Sequence, residues 1–261
     1  MASTQSAQAG HAATLYLWPQ RTLYLGLIGH LSPLCHAAHA LVLGLDATVR
    51  VTVDGEVVEG RAMLVPAGLT YSADFQDEKI ACCFLDPLGR DFCFHQSRMH
   101  RHPSGVYLNG AREQEQLATL TQLCDTEATA NDALAAISGV LFPAPGDAVA
   151  GFRADDRIAK VVDLIRQDPG ANVSNDWLAE QVGLSGDRLQ RLFKDATGVP
   201  VRRYRLWHRL FVISNMMAMG SSLTDAALAA GFSDSSHLTN VFRNMLGMSP
   251  STVLRRSRQV R

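Results

Sequence analysis

The 261-residue chain carries 24 Lys and Arg against 25 Asp and Glu, a net charge of −1, and is 47% hydrophobic. That length holds two domains with cores of their own, and the composition excludes a disordered or fibrous chain. The near-zero charge hides an asymmetry: residues 152–261 hold 16 basic and 10 acidic side chains, +6, which leaves −7 for the rest.

Taken in chain order, residues 1–14 read as a flexible tail of small and polar residues. Residues 15–110 read as β. Val49, Val51 and Val53 alternate with Arg50 and Thr52, and Asp54-Gly55 then turns the chain into Val57-Val58, a hairpin with a type I′ turn. Further short strands follow at Ala62 to Val65, Tyr71 to Phe75 and Ile80 to Leu85. Strands so short and so regularly spaced suit a small barrel or sandwich.

Histidine and cysteine are metal ligands, and this half is rich in both. Cys35-His36-Ala37-Ala38-His39 stands ahead of the strands, Cys82-Cys83 lies on one, and His95, His100 and His102 follow near Cys93. No pair has zinc-type spacing, and cysteine is commonly a small buried hydrophobe. Five cysteines make no even disulfide framework and fit reduced thiols. The expectation is therefore no metal and no cofactor, with His36 and His39 facing an organic ligand and the stretch from His95 to His102 solvated. No set of nucleophile, base and orienting group is recognisable, so no catalytic residue and no enzyme is expected.

From Arg112 the period changes. Leu117, Leu120, Thr121 and Cys124 share a helix face, and Asn131 is placed to cap a second helix through Leu134, Ile137 and Leu141. Residues 111–145 thus form a helical segment. Residues 146–155, after Phe142-Pro143-Ala144-Pro145, read as a linker. A basic half beyond it suits nucleic acid, and an acidic half suits a domain that avoids it. No apolar run approaches a bilayer span and no charged region precedes an apolar leader, so a soluble, unexported, cytoplasmic chain with no membrane partner is expected.

Everything after Asp155 is helical, and one motif occurs there twice. Ala179 to Ser185, Leu189, Phe193 and Gly198 recur as Ala227 to Ser233, Leu238, Phe242 and Gly247. The offset is 48 up to the serine and 49 beyond it, so one residue is inserted between Ser233 and Leu238. Each copy is a short helix, a glycine turn, a serine start signal and a second amphipathic helix: the grammar of helix-turn-helix. Leu189, Leu192, Phe193 and Ala196 form the apolar stripe of one second helix, and Leu238, Val241, Phe242 and Met245 that of the other. The opposite faces hold Asp187, Gln190, Arg191 and Lys194, then Ser236, Thr239, Asn240 and Arg243. Arg fits guanine, and Asn or Gln fits adenine, bidentately in the major groove. A long helix from Val201 to Met219 joins the copies, with Arg202, Arg203, Arg205 and Arg209 at its start. Those arginines suit phosphates, or equally packing and ion pairs with Asp187, Asp195 or Asp225. The run Arg255-Arg256-Ser257-Arg258 suits a phosphate contact or a disordered basic end better than a base reader.

Tyr204 and Arg209-Leu210, Ser222 to Ala227, Gly231-Phe232-Ser233-Asp234-Ser235-Ser236-His237-Leu238, Phe242-Arg243, Gly247 and Ser249-Pro250 closely resemble the AraC/XylS family of bacterial transcription regulators. The resemblance covers about residues 156–256 and implies a seven-helix DNA-binding domain with two helix-turn-helix units. Carried over, the base-facing positions are Asp187, Gln190 and Arg191, then Ser235, Ser236, His237 and Asn240; Lys194, Arg202, Arg203 and Arg243 would meet phosphates. Leu238 and Asn240 depart from the aromatic and basic residues frequent there. The first half resembles a cupin-type sensor domain. The expected architecture is α+β: a small cupin-like barrel plus helices, then an all-α domain. The implied partners are double-stranded DNA, a small-molecule effector, a second copy through residues 112–141, and RNA polymerase for an activator. The rival readings are a metal-dependent cupin enzyme with a DNA-binding appendage, and a regulator without an effector whose β domain only dimerises.

Overall fold

The computed structural model describes residues 13–19, 21–144, 147, 149, 151, 155–250 and 257–260. Most of the expected tail and linker, and Arg255-Arg256 of the basic run, lie outside the described residues. Four strands come first: β1 (Ala13–Trp18), β2 (Arg21–Leu27), β3 (His30–Cys35) and β4 (His39–Gly44). Cys35 and His39 therefore stand within this strand series, where the sequence reading had them ahead of it. Next are β5 (Val49–Val53), β6 (Glu56–Gly60), β7 (Ala62–Val65), β8 (Thr70–Asp74) and β9 (Lys79–Leu85). Asp54 and Gly55 have φ of 49° and 84°, as the type I′ turn of the β5–β6 hairpin requires. A short helix, α1 (Asp91–Gln96), leads to β10 (His100–Arg101) and β11 (Tyr107–Leu108).

The strands make an eight-stranded sheet, ordered β10-β11-β7-β4-β9-β2-β1-β12, and a four-stranded sheet, β3-β8-β5-β6. The strand β12 (Ser257–Val260) lies at the far end of the sequence and pairs in parallel with β1. The end of the basic run, expected as a phosphate contact or a disordered end, thus adds a backbone-paired strand to a sheet of the other half of the molecule.

The large sheet is covered on both faces, and strand alternation assigns its residues. Ala40 and Val42 of β4, with Ile80 and Cys82 of β9, belong to one apolar core; Leu41, Leu43, Ala81 and Cys83 belong to the other. Cys82 and Cys83 therefore point to opposite sides of the sheet, which explains an adjacent cysteine pair without a metal. Burial pushes the Cys82 thiol up to about 12.

Two helices, α2 (Glu113–Cys124) and α3 (Ala130–Ile137), cover the second face. Leu120 and Leu123 are buried there against Tyr16, Trp18 and Leu23, and the Trp18 indole donates to the Ala130 carbonyl at 3.1 Å. Within the segment expected to meet a second copy, Leu120 thus belongs to the chain's own core, while Thr121 is exposed. The cap of α3 is Thr129, whose hydroxyl accepts from Asp132 N–H, and the helix stops at Ile137. The stretch expected to be solvated is exposed at His100 but corrected at His95. His95 lies on α1, is buried, and its Nε2 sits 2.6 Å from the Leu141 carbonyl. Asp91 beside it is buried against Arg21 through two bonds of 2.6 and 2.7 Å. Periodicity has no means of reporting such a corner, because its partners are 70 and 46 residues apart.

Among the described residues, six helices follow: α4 (Asp156–Gln167), α5 (Asn175–Glu180), α6 (Gly186–Thr197), α7 (Val201–Ala218), α8 (Leu223–Ala229) and α9 (Ser235–Leu246). Their buried residues join the first-named core of the sheet without a break, so barrel lumen and helical domain share one hydrophobic cluster. No described helix is long and apolar enough to cross a membrane.

Candidate nucleic-acid interface and interdomain cavity

Both helix-turn-helix units are built as the duplicated motif demands. In the first, α5 ends into Gly183 at φ 67°, Ser185 caps α6 by accepting from Arg188 N–H, and Gly198 closes it at φ 78°. In the second, α8 leads to Gly231 at φ 81°, and Gly247 closes α9 at φ 72°. The cap of α9 is Asp234, accepting from His237 N–H at 2.7 Å, not the serine that aligns with Ser185. Asp234 and Ser185 each stand four residues before the buried leucine, so the inserted residue belongs to the turn and both helices start in register. The bond from the His237 amide, first among its causes, holds the Asp234 carboxyl below its usual range.

The apolar stripes turn inward, except that Ala196 at the end of the first is exposed, and the polar faces are outside. Leu189, Phe193, Leu238 and Phe242 are fully buried. Asp187, Gln190, Arg191 and Lys194 are exposed on α6, and Ser236, His237, Asn240 and Arg243 on α9. Each helix thus presents a row of hydrogen-bonding groups able to meet base edges or phosphates. Ser235 is the first residue of α9.

The arginines of α7 divide. Arg202 is exposed. Arg203, expected to meet phosphate, donates to the Cys35 carbonyl at 2.6 Å and in this arrangement ties α7 to the β half. Arg205 donates to the Val173 carbonyl, and buried Arg209 to those of Pro169 and Gly231 and to the Asn172 side chain. These two brace loops of the helical domain, and they do so through backbone carbonyls in place of the expected aspartates.

The halves meet over a broad face. Arg166 bonds Asp86 and, at 3.0 Å, the Tyr204 hydroxyl. Trp207 of α7 packs edge-on against Phe84 at 5.0 Å. Gly198 and Gly68 touch backbone to backbone: a Cβ on Gly68 would stand 2.3 Å from the Gly198 oxygen. A Cβ on Gly247 would stand 2.8 Å from side-chain atoms of Leu31 and Leu34.

Between barrel and helices lies an apolar cavity of about 60 Å³. Tyr24, Val42 and Cys82 line it from the barrel, and Trp207, Phe242 and Leu246 from α7 and α9. His36 is part of its wall. Burial, above all, lowers the His36 pKa to about 3, with the Arg203 charge adding to the effect and the Met245 carbonyl opposing it. His39 is elsewhere. Its Nδ1 accepts from Ala67 N–H at 3.0 Å, its ring stacks on Phe92 at 3.8 Å, and it borders a wider cleft of about 430 Å³ with Asp155 and Asp195. The sequence reading thus grouped two histidines that the fold separates. It also missed Trp207 and Phe242 as cavity walls, since a helix stripe reports burial and not what it is buried against.

Residues 178–256 match a protein family described as a helix-turn-helix domain. The transcriptional regulator RipA of Corynebacterium glutamicum is 33% identical over 92 residues, covering 35% of this chain and 28% of RipA. The transcriptional activator RhaS of Escherichia coli O139:H28 is 38% identical over 82 residues, covering 31% of this chain and 30% of RhaS. The chain therefore spans under a third of the length of these curated relatives. The fold of the whole is similar to that of ToxT from Vibrio cholerae strain SCE256, solved with an unsaturated fatty acid bound: TM-score 0.58 at 13% identity, covering 91% of this chain and 96% of that one. Residues 178–256 thus carry a helix-turn-helix domain similar to those of these regulators, and the chain as a whole has the fold of ToxT.

Proposed function

We propose that this chain is a sequence-specific, double-stranded-DNA-binding transcription regulator, acting in the cytoplasm and responding to a small molecule through its β domain. The observation that carries the reading is the pair of recognition helices, each started by a side-chain cap and closed by a left-handed glycine, each burying its phenylalanine and exposing its hydrogen-bonding face. Asp187, Gln190 and Arg191 of α6, and Ser235, Ser236, His237 and Asn240 of α9, take the base edges in this reading. Lys194, Arg202 and Arg243 take phosphates, where cations supply affinity without sequence information. The interdomain cavity is the effector site, a role that the fatty acid bound to ToxT supports by analogy of fold. His36 belongs to that site. A second copy associates through the exposed faces of α2 and α3, and an activator would also contact RNA polymerase.

Selection of DNA from a random pool by the purified full-length chain tests the reading. The expected result is a consensus with two contact segments about one helical turn apart, ~34 Å, per protein chain. Recovery of unenriched sequence, with affinity set by salt alone, would overturn it. Light scattering beside the binding titration gives the number of chains on the DNA.

A further inference from the structure

The cavity between barrel and helices combines three properties that define what fits it. It is almost wholly apolar, and none of its lining residues is Lys, Arg, Asp or Glu. Aromatic rings crowd one end: Tyr71, Phe84 and Trp207 stand 5.5, 4.9 and 6.2 Å from the His36 ring, all tilted or edge-on. At that same end a buried polar atom is left over. His36 is 3% exposed, and its Nδ1 has no hydrogen-bond partner. The Met245 backbone carbonyl favours a proton on the ring. With that proton on Nε2, the Nδ1 of the neutral ring presents a lone pair. An acceptor so placed lacks compensation until a donor reaches it.

We propose that the cavity binds a neutral aromatic molecule carrying one hydroxyl donor, a phenol in its simplest form, with the hydroxyl bonded to His36 Nδ1. This rests on the reading of the cavity as the effector site and names the chemistry it selects. A carboxylate is excluded because it brings a charge and a second acceptor to a wall without a cation. Arg203, whose charge reaches the His36 ring, donates its Nη2 to the Cys35 carbonyl and is not part of the wall. The fatty acid bound to ToxT is accordingly not the expected ligand class here.

Size adds the regulatory consequence. A dry cavity that accepts benzene measures about 150 Å³, and this one about 60 Å³. A ring can enter only if a wall retreats. The barrel wall is locked by the ladders of β4 and β9, whereas α7 and α9 meet it through side chains and single polar bonds. The occupant therefore displaces the second reading helix, whose Phe242 and Leu246 form the yielding side.

The test uses the full-length protein with 4-ethylphenol, ethylbenzene and 4-ethylbenzoate at pH 7, read by tryptophan fluorescence and by thermal midpoint. The expected order has the phenol binding about tenfold tighter than the hydrocarbon, the worth of one buried neutral hydrogen bond, and the benzoate not binding. His36→Phe should bring the phenol to the affinity of the hydrocarbon, and saturating phenol should change wild-type affinity for selected DNA about fivefold or more. Equal binding of phenol and hydrocarbon, tighter binding of the benzoate, or no binding of any probe to the wild type would each overturn the proposal without recourse to the variant. A protein that selects DNA but ignores all three probes loses this inference and keeps the regulator reading; one that binds the phenol but selects no DNA does the reverse.

Discussion

The two helix-turn-helix units are near copies in sequence and build, yet they meet the β half in different ways. Both recognition helices end on a left-handed glycine that abuts it. At Gly198 the contact is backbone on backbone, against Ala67 and Gly68. At Gly247 it is backbone on the side chains of Leu31 and Leu34. A peptide-to-peptide contact has no rotamer to change, whereas leucine side chains move between staggered wells. The second unit alone also has its recognition helix in the cavity wall, through Phe242 and Leu246. Two units of one design thus differ in their surroundings, and only the second has its closing helix in the cavity wall.

The largest effect that would break this comparison is at the paired phenylalanines. Phe193 and Phe242 are both fully buried, and replacing either with alanine should cost about 3–5 kcal/mol. Phe193 packs edge-on against Tyr204 at 5.6 Å inside the helical domain, and Phe242 borders the cavity. Thermal denaturation of the full chain should therefore show both losses. Only Phe242→Ala should also enlarge the cavity and tighten ethylbenzene binding. Equal ethylbenzene affinity in the two variants would count against the asymmetry.

Base readout comes next. Arg191→Ala should weaken specific binding by about 1–3 kcal/mol and relax preference at one or two base pairs. Asn240→Ala should do the same at the other contact segment. Lys194→Ala should weaken all sequences alike and reduce the salt slope by about 1. If ligand acts on the second unit, phenol should alter the penalty of Asn240→Ala and leave that of Arg191→Ala as it was. Gel-shift titrations at two salt concentrations, with and without phenol, resolve the four quantities.

The glycines test the contacts directly. Alanine at either position incurs the left-handed penalty of roughly 1–2 kcal/mol. Gly198→Ala adds a clash with the Ala67 carbonyl oxygen 2.6 Å away that nothing can relieve except separation of the halves. Gly247→Ala meets only flexible leucine ends. Limited proteolysis between the halves should accelerate in the first variant well beyond the second; equal rates would remove the distinction between a rigid and a yielding contact.

Much of this was legible in the sequence, and the limits are physical. The β5–β6 hairpin and the strands near 62–65 and 80–85 were readable because valine alternation and turn residues are local signals. The two recognition helices were readable because the motif repeats. What sequence could not supply was the partner of each buried face. The stripe through Leu120 reads equally as a dimer seam and as the chain's own core. Arg203 reads as a phosphate ligand until its acceptor, 168 residues away, is in place. The strand at Ser257–Val260 reads as a basic tail until β1 offers it an edge. His36 and His39 look alike in sequence, three residues apart, but only one has a nitrogen left over.

The smallest effect is an acid dependence that isolates the tie between His36 and the second unit. Burial lowers the His36 pKa to about 3 in the folded protein, against 6.5 for the free side chain. The unfolded chain therefore takes up the proton first. Stability contributed by the neutral ring is fully present above pH 6.5 and is lost progressively as pH falls towards 3. Its slope is at most about 1.4 kcal/mol per pH unit. The groups facing the ring are Tyr71 from β8, Arg203 from α7 and the Met245 carbonyl from α9, with Cys35 adjacent in the chain. Burial pushes Tyr71 well up, so it stays neutral in this window, and the charge of Arg203 opposes protonation of the ring. His39, His95 and His208 are held low by burial too, so the wild type alone does not identify the group. The informative quantity is the difference from His36→Phe. Urea midpoints at pH 7, 6 and 5 should fall less steeply in that variant by one proton's worth, with no difference above pH 7. Parallel slopes would mean that His36 gains no proton-linked stability from its seat beneath α9. The second reading helix would then be no more closely tied to the barrel than the first.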